Sequence, residues 1–243
     1  MLRSVTTDGC DRMGDDSDLT LSWKPIKVMS RMETLAEIVQ QTRINTATNN
    51  TRLLSKLERW QQDIKYIQEC LERIEKKLVP KLEKILKIEF QNKELFQVAM
   101  FQPSTKNLFL ELKTQYRGSA DDPLGVEGFA EMINLSEMAK VIALVGDAVI
   151  SSAVLQHLWE PHLGDAGKIT QKKAKIVSNN HMAKLCDKWK LYDYRIHFDP
   201  ETPSKSEMDH DKGTLLEAIY GIIYIEHEYK MIHKQVTHLI NTR

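Results

Sequence analysis

Two acids carry the first chemical signal in this chain of 243 residues. Asp147 is the only charge in the apolar run Val141 to Leu155, with Gly146 and Ala148 beside it. Glu217 repeats the arrangement in Gly213 to Ile225, with Ala218 and Gly221 close by. A charge left unpaired among apolar groups is costly, so each acid needs either a neutralising partner or a ligand. For one such acid a structural hydrogen bond and a ligand remain alternatives. Two of them, each flanked by small residues that let a neighbouring helix come close, favour a shared cation. Carboxylate oxygens suit Mg2+, with Mn2+ as a substitute, because the hard cation keeps several waters and needs only one or two protein carboxylates. Such an ion polarises a phosphodiester and activates water for attack.

The other reactive side chains read less sharply. All eight histidines follow residue 156, and His227, Glu228, His233 and His238 crowd the end of the chain. Their spacing matches neither HExxH nor another zinc pattern, so surface histidines are the expectation. Cys10, Cys70 and Cys186 are scattered and odd in number, which gives no disulfide framework and fits a reducing, cytoplasmic setting. Cys186 reads as a packing residue. No glycine-rich phosphate loop occurs, and Ser151-Ser152 lacks the surroundings of a nucleophile elbow.

Formal net charge is zero, so attraction to nucleic acid or to a membrane has to be local. One such patch stands out. Pro161 to Lys190 holds seven lysines against Asp165 and Asp187, and Lys168, Lys172 and Lys175 fall on one helical face with Lys173 beside them. The same pattern also describes a plain solvated surface. The polar, acidic start is not a signal peptide, and the fifteen-residue run Val141 to Leu155 is too short to cross a membrane. A soluble protein is expected.

The elements that must position these groups are all helical; no alternating strand pattern of useful length occurs. Residues 1–26 read as a disordered tail, with Met29 and Met32 as alternative starts. Residues 27–80 read as a helical arm or coiled coil. Leu53, Leu57, Trp60, Ile64, Ile67, Leu71, Ile74 and Leu78 step by alternating fours and threes, a heptad seam. Either the seam joins subunits or the helix packs on its own domain. Pro80 is expected to end it, and QQTRINTATNNTR before it to fray or bend. Lys81 to Pro103 predicts two short helices around Gln91 and Asn92, and 117–125 (RGSADDPLG) a turn-rich loop. The core helix should run from about Leu135 to Trp159 and stop at Pro161 and Gly164. Lys168 to Lys190 reads as helix, 197–213 as a polar loop, and Gly213 to Tyr229 and His233 to Leu239 as the closing helices.

Four segments then resemble a known family in the right order. ILKIEFQNKELFQVAMFQPS (85–104) resembles the opening of ribonuclease III domains. IALVGDAVI (142–150) is similar to their signature helix, and ITQKKAKIVSNNHMAKL (169–185) to the lysine-rich helix that follows. KGTLLEAIYGIIYIE (212–226) resembles the closing helix with its glutamate. The likeness covers roughly Lys81 to Leu239, and residues 81–243 are read as a ribonuclease III-like domain with an insertion at 104–136. Two family carboxylates are replaced, by Ala143 and Thr214. The same replacements resemble the Mini-III subclass, which has no double-stranded-RNA-binding domain and remains a nuclease.

The resemblance implies a homodimer with one Mg2+ site per subunit that cuts both strands of double-stranded or structured RNA, in RNA processing. Asp147 and Glu217 would be its catalytic and metal-binding residues, and Lys168, Lys172, Lys173 and Lys175 would grip phosphates. Thr214 would act through a metal-bound water. The alternative is a ribonuclease III-like fold without cleavage that serves as an RNA-binding or ribosome-associated scaffold. The arm leaves room for a further protein partner.

Overall fold

The computed structural model describes residues 21–118, 122–159, 165–199 and 203–242. Among them the chain is all-α; its only β feature is one isolated bridge, Phe101 to Ile196. Expectations resting on Cys10, Pro161, Gly164, Pro200 and residues 119–121, and the disordered tail as far as residue 20, lie outside the described residues. The described part of that tail is anchored. The backbone N–H groups of Ile26 and Val28 donate to the two carboxylate oxygens of Glu94, each at 2.8 Å, and Ile26 is buried.

Helices α1 (Val28–Asn45) and α2 (Thr51–Arg73) pack on each other as a hairpin. The polar stretch expected to bend supplies the turn at 46–50, where the Asn50 side chain accepts from the Leu53 N–H and caps α2. The heptad seam faces inward. Leu57, Trp60, Ile64, Ile67, Leu71, Ile74 and Leu78 all lie in the chain's own core, and only Leu53 is partly exposed. Of the two readings of residues 27–80, the structure has the packed helix, and the seam is not free to join subunits as a coiled coil.

Pro80 does not stop the helix. The turn Ile74–Leu78 widens to π geometry, and α3 (Val79–Leu86) continues with Pro80 in its first turn. A π turn displaces the hydrogen-bond ladder by one residue, and a first-turn proline has no intrahelical donor to lose.

Short α4 (Lys93–Ala99), α5 (Lys106–Tyr116) and α6 (Gly125–Ile133) lead to the central helix α7 (Leu135–Leu158). By length and composition alone α7 could cross a membrane. Here α4, α10 and α8 pack against it. Although it is the core helix, it is not buried all round. Ile142, Ala143, Gly146 and Ile150 are covered, whereas Val141, Leu144 and Leu155 are 61%, 68% and 41% exposed.

The basic segment is two helices, α8 (Ala166–Ile176) and α9 (Asn179–Trp189), separated at Val177-Ser178 and capped by the Asp165 and Ser178 side chains. The polar loop expected at 197–213 is largely helix. Ser204 and Glu207 form a capping box that starts α10 (Lys205–Gln235) eight residues before the expected Gly213. The helix breaks at Glu228 (φ 61, ψ −179), and α11 (Thr237–Ile240) ends the described chain.

Candidate active site

The site is set by how closely α7 and α10 approach. A methyl group at Gly146 would lie 1.8 Å from the Glu217 carbonyl oxygen, and one at Gly221 2.1 Å from that of Ile142. Two glycines therefore let the backbones touch, and this contact brings Asp147 and Glu217 together. Asp147, next to Gly146, is exposed; Glu217 is half-buried. The exposure of Asp147 corrects the expectation of a buried acid, because the apolar residues of α7 that flank it point partly outward.

Glu217's pKa is pushed up to about 7, first by burial and then by the negative charge of Asp147. Among the described residues neither acid has a lysine, arginine or histidine within ion-pair distance. Two carboxylates facing each other without a counter-charge are an arrangement that a cation would relieve. No group of three or more His, Cys, Asp or Glu is placed to hold a metal among the described residues. The donor set is this pair alone, consistent with a hard cation that keeps most of its waters. Ala143 is buried one turn before Asp147, and Thr214 stands half-buried one turn before Glu217.

Lys168, Lys172 and Lys175 are exposed and Lys173 half-buried on α8, a surface helix with no buried residue that packs against α7 and α9. Lys168 is paired with Asp165 at 3.3 Å. The lysines therefore sit beside the helix that carries Asp147 and do not contact either acid.

The remaining candidates are structural. Cys186 is fully buried and its thiol is pushed up to about 12 by burial, which leaves no thiolate for chemistry. His227 packs edge-on against Phe90 at 5.6 Å and His238 against Trp189 at 5.8 Å; both are half-buried rather than the expected surface histidines, while His233 is exposed. A second group of polar side chains escaped the sequence reading. Beside Thr214 a cavity of about 210 Å3 is enclosed by the α4–α5 connection, the start of α7 and the start of α10. Its polar lining is Gln102, Ser136, Lys140, His210, Asp211 and Thr214, which are far apart in sequence and share no motif.

Comparison with known proteins places the two acids in one matched region. Residues 140–228 match the ribonuclease III domain. The chain is 27% identical over 147 residues to the Ribonuclease 3 of Zunongwangia profunda, covering 58% of this chain and 53% of that protein. It is 29% identical over 100 residues to the Ribonuclease 3 of Flavobacterium psychrophilum, covering 39% of each. The chain thus spans about half the length, or less, of the curated relatives it matches.

Proposed function

We propose, from the ribonuclease III domain at residues 140–228, that the chain is a divalent-metal-dependent endoribonuclease acting on double-stranded or structured RNA. The observation that carries this reading is the pairing of Asp147 with Glu217 across the Gly146–Gly221 contact, without a counter-charge. Their oxygens would hold Mg2+, or Mn2+ in its place. When bound, the cation supplies Lewis-acid polarisation of the phosphodiester and lowers the pKa of the attacking water.

The chain's own residues do the rest. Asp147, exposed, would be the acid reached first from solvent, and the half-buried Glu217 beside it would supply the second carboxylate. Thr214, one turn before Glu217, offers a hydroxyl for a bound water. Lys168, Lys172, Lys173 and Lys175 on the adjoining α8 supply salt-dependent attraction for the duplex, which is read by its shape and backbone. The exposed stripe Val141, Leu144 and Leu155 on the helix that carries Asp147 supports a homodimer that sets two sites against two strands.

A second reading rests on one observation. With Ala143 and Thr214 at the other two family positions, only two carboxylates remain, and the chain would then bind structured RNA as a scaffold without cutting it. Incubation of labelled duplex RNA with Mg2+ decides between them. Cleavage by the wild type, lost in Asp147→Asn and Glu217→Gln, is expected. Intact RNA that still shifts on a native gel would leave the scaffold.

A further inference from the structure

The geometry points to a receptor for a single unpaired nucleobase beside the acid pair, which makes the preferred substrate a duplex interrupted by a bulged or looped nucleotide. The inference rests on the RNA-binding reading of the site above. Its basis is the cavity that begins at Thr214. The volume of about 210 Å3 lies below the roughly 300–1,000 Å3 of clefts that hold drug-sized ligands, which limits an occupant to one compact ring system.

The lining suits a base. Phe101, 1% exposed, closes an apolar floor together with Ala99, Ala139 and Ala218. Ser136 is buried, 4% exposed, yet among the described residues its hydroxyl has no hydrogen-bond partner, and the side-chain amide of Gln102 has none either. Both polar groups open onto the cavity, Gln102 from a half-buried position, and so can meet a ligand's edge. The Gln102 backbone is fixed by its N–H donating to the Ile196 carbonyl at 3.0 Å, which holds the connection that carries it. At the rim stand the exposed His210 and Lys140, the latter paired with Glu137 at 2.9 Å, while the lining carboxylate of Asp211 is paired with Arg195 at 3.4 Å. An amide and a hydroxyl match the mixed donor and acceptor edge of a base, whereas a free anion would leave the apolar floor without a role.

Energetics decide which RNA benefits. Pulling a paired base from its stack costs a few kcal/mol, and an already unpaired base escapes most of that cost. Contacts to a seated base are worth enough to produce a preference of about tenfold or more. The pocket adjoins Glu217 through Thr214, so a base seated in it would place a neighbouring phosphate toward the acids and fix the register of the cut.

The test uses the full chain in metal-free buffer with two hairpins of identical stem, one fully paired and one carrying a single bulged 2-aminopurine. Anisotropy gives their affinities, and 2-aminopurine emission reports the environment of the base. The bulged hairpin is expected to bind about tenfold more tightly, with a change in emission on binding. Ser136→Ala combined with Gln102→Ala is expected to erase that preference and leave the paired hairpin's affinity unchanged, which also shows the variant to be folded. Equal affinity of wild type for both hairpins, or a preference that survives in the double variant, overturns the receptor and leaves RNA binding standing. If neither hairpin binds, the RNA-binding reading and the receptor fall together.

Discussion

At the residue scale, Glu217 is the group whose titration can be followed directly. Its folded value of about 7 lies above the ordinary glutamate value of 4.5 because the carboxylate is desolvated and faces Asp147. Between those values the folded chain keeps a proton that the unfolded chain has released, so stability falls as pH rises through that window. Below it both states are protonated and the cost vanishes; above it the cost is complete. Glu217→Gln removes the titration. In metal-free buffer, urea unfolding should show the variant equal to wild type near pH 4 and more stable near pH 8 by on the order of 1–3 kcal/mol, solvent screening included. An offset that does not change with pH would mean that the carboxylate is not strained. Both acids were legible in the sequence as lone charges in apolar runs. Their exposure was not, because the run around Asp147 holds Val141 and Leu144, which point away from the core. Ser136 and Gln102 were invisible, since a cavity assembled from three distant segments leaves no spacing to read.

At the scale of elements, the α7–α10 contact depends on two missing methyl groups. Gly146→Ala would drive a Cβ into the Glu217 carbonyl and Gly221→Ala one into that of Ile142. Backbone atoms cannot rotate aside as a side chain can, so each substitution is expected to cost about 3 kcal/mol or more by chemical denaturation. Near-neutral values would mean that the helices separate easily, and the acid pair with them. The break in α10 makes the opposite prediction. Glu228 sits at φ 61 and ψ −179, a conformation that favours glycine. Glu228→Gly should therefore raise stability by about 1 kcal/mol, a result that Glu228→Ala would not reproduce. The same helices show what sequence can and cannot supply. The start of α10 was missed: 197–213 read as a polar loop because of its prolines, although Ser204 followed three residues later by Glu207 is the capping box that starts the helix. The continuation from α2 into α3 across Pro80 was not legible either, because the five-residue π turn Ile74–Leu78 just before it absorbs the break and leaves no mark in the hydrophobic period.

At the scale of the molecule, the heptad seam placed a strong signal on α2 but did not say what covers it. A seam with a four-three step is equally suited to a second chain or to the chain's own domain, and here the domain supplies the partner. Val28, Met32, Leu35 and Val39 of α1 and Leu57, Trp60, Ile64, Ile67 and Leu71 of α2 are buried in the core that also holds Leu95, Phe96 and Phe109. Polar ties run the same way. The Arg73 guanidinium donates to the Asp193 carbonyl at 2.7 Å, and Arg31 pairs with Glu131. Burying one large apolar side chain is worth about 1.5–3 kcal/mol. Even if half of these contacts lie inside the hairpin itself, the remainder rivals the 5–15 kcal/mol that holds a typical domain together. Residues 21–79 are therefore expected to act as part of the folding unit that carries the acid pair. A chain beginning at Pro80 should show no cooperative melt by circular dichroism and should aggregate, and separate expression of 21–79 in the same cells should restore a soluble complex. A cooperative melt of the shortened chain alone would instead make the hairpin a dispensable arm, free to serve a partner.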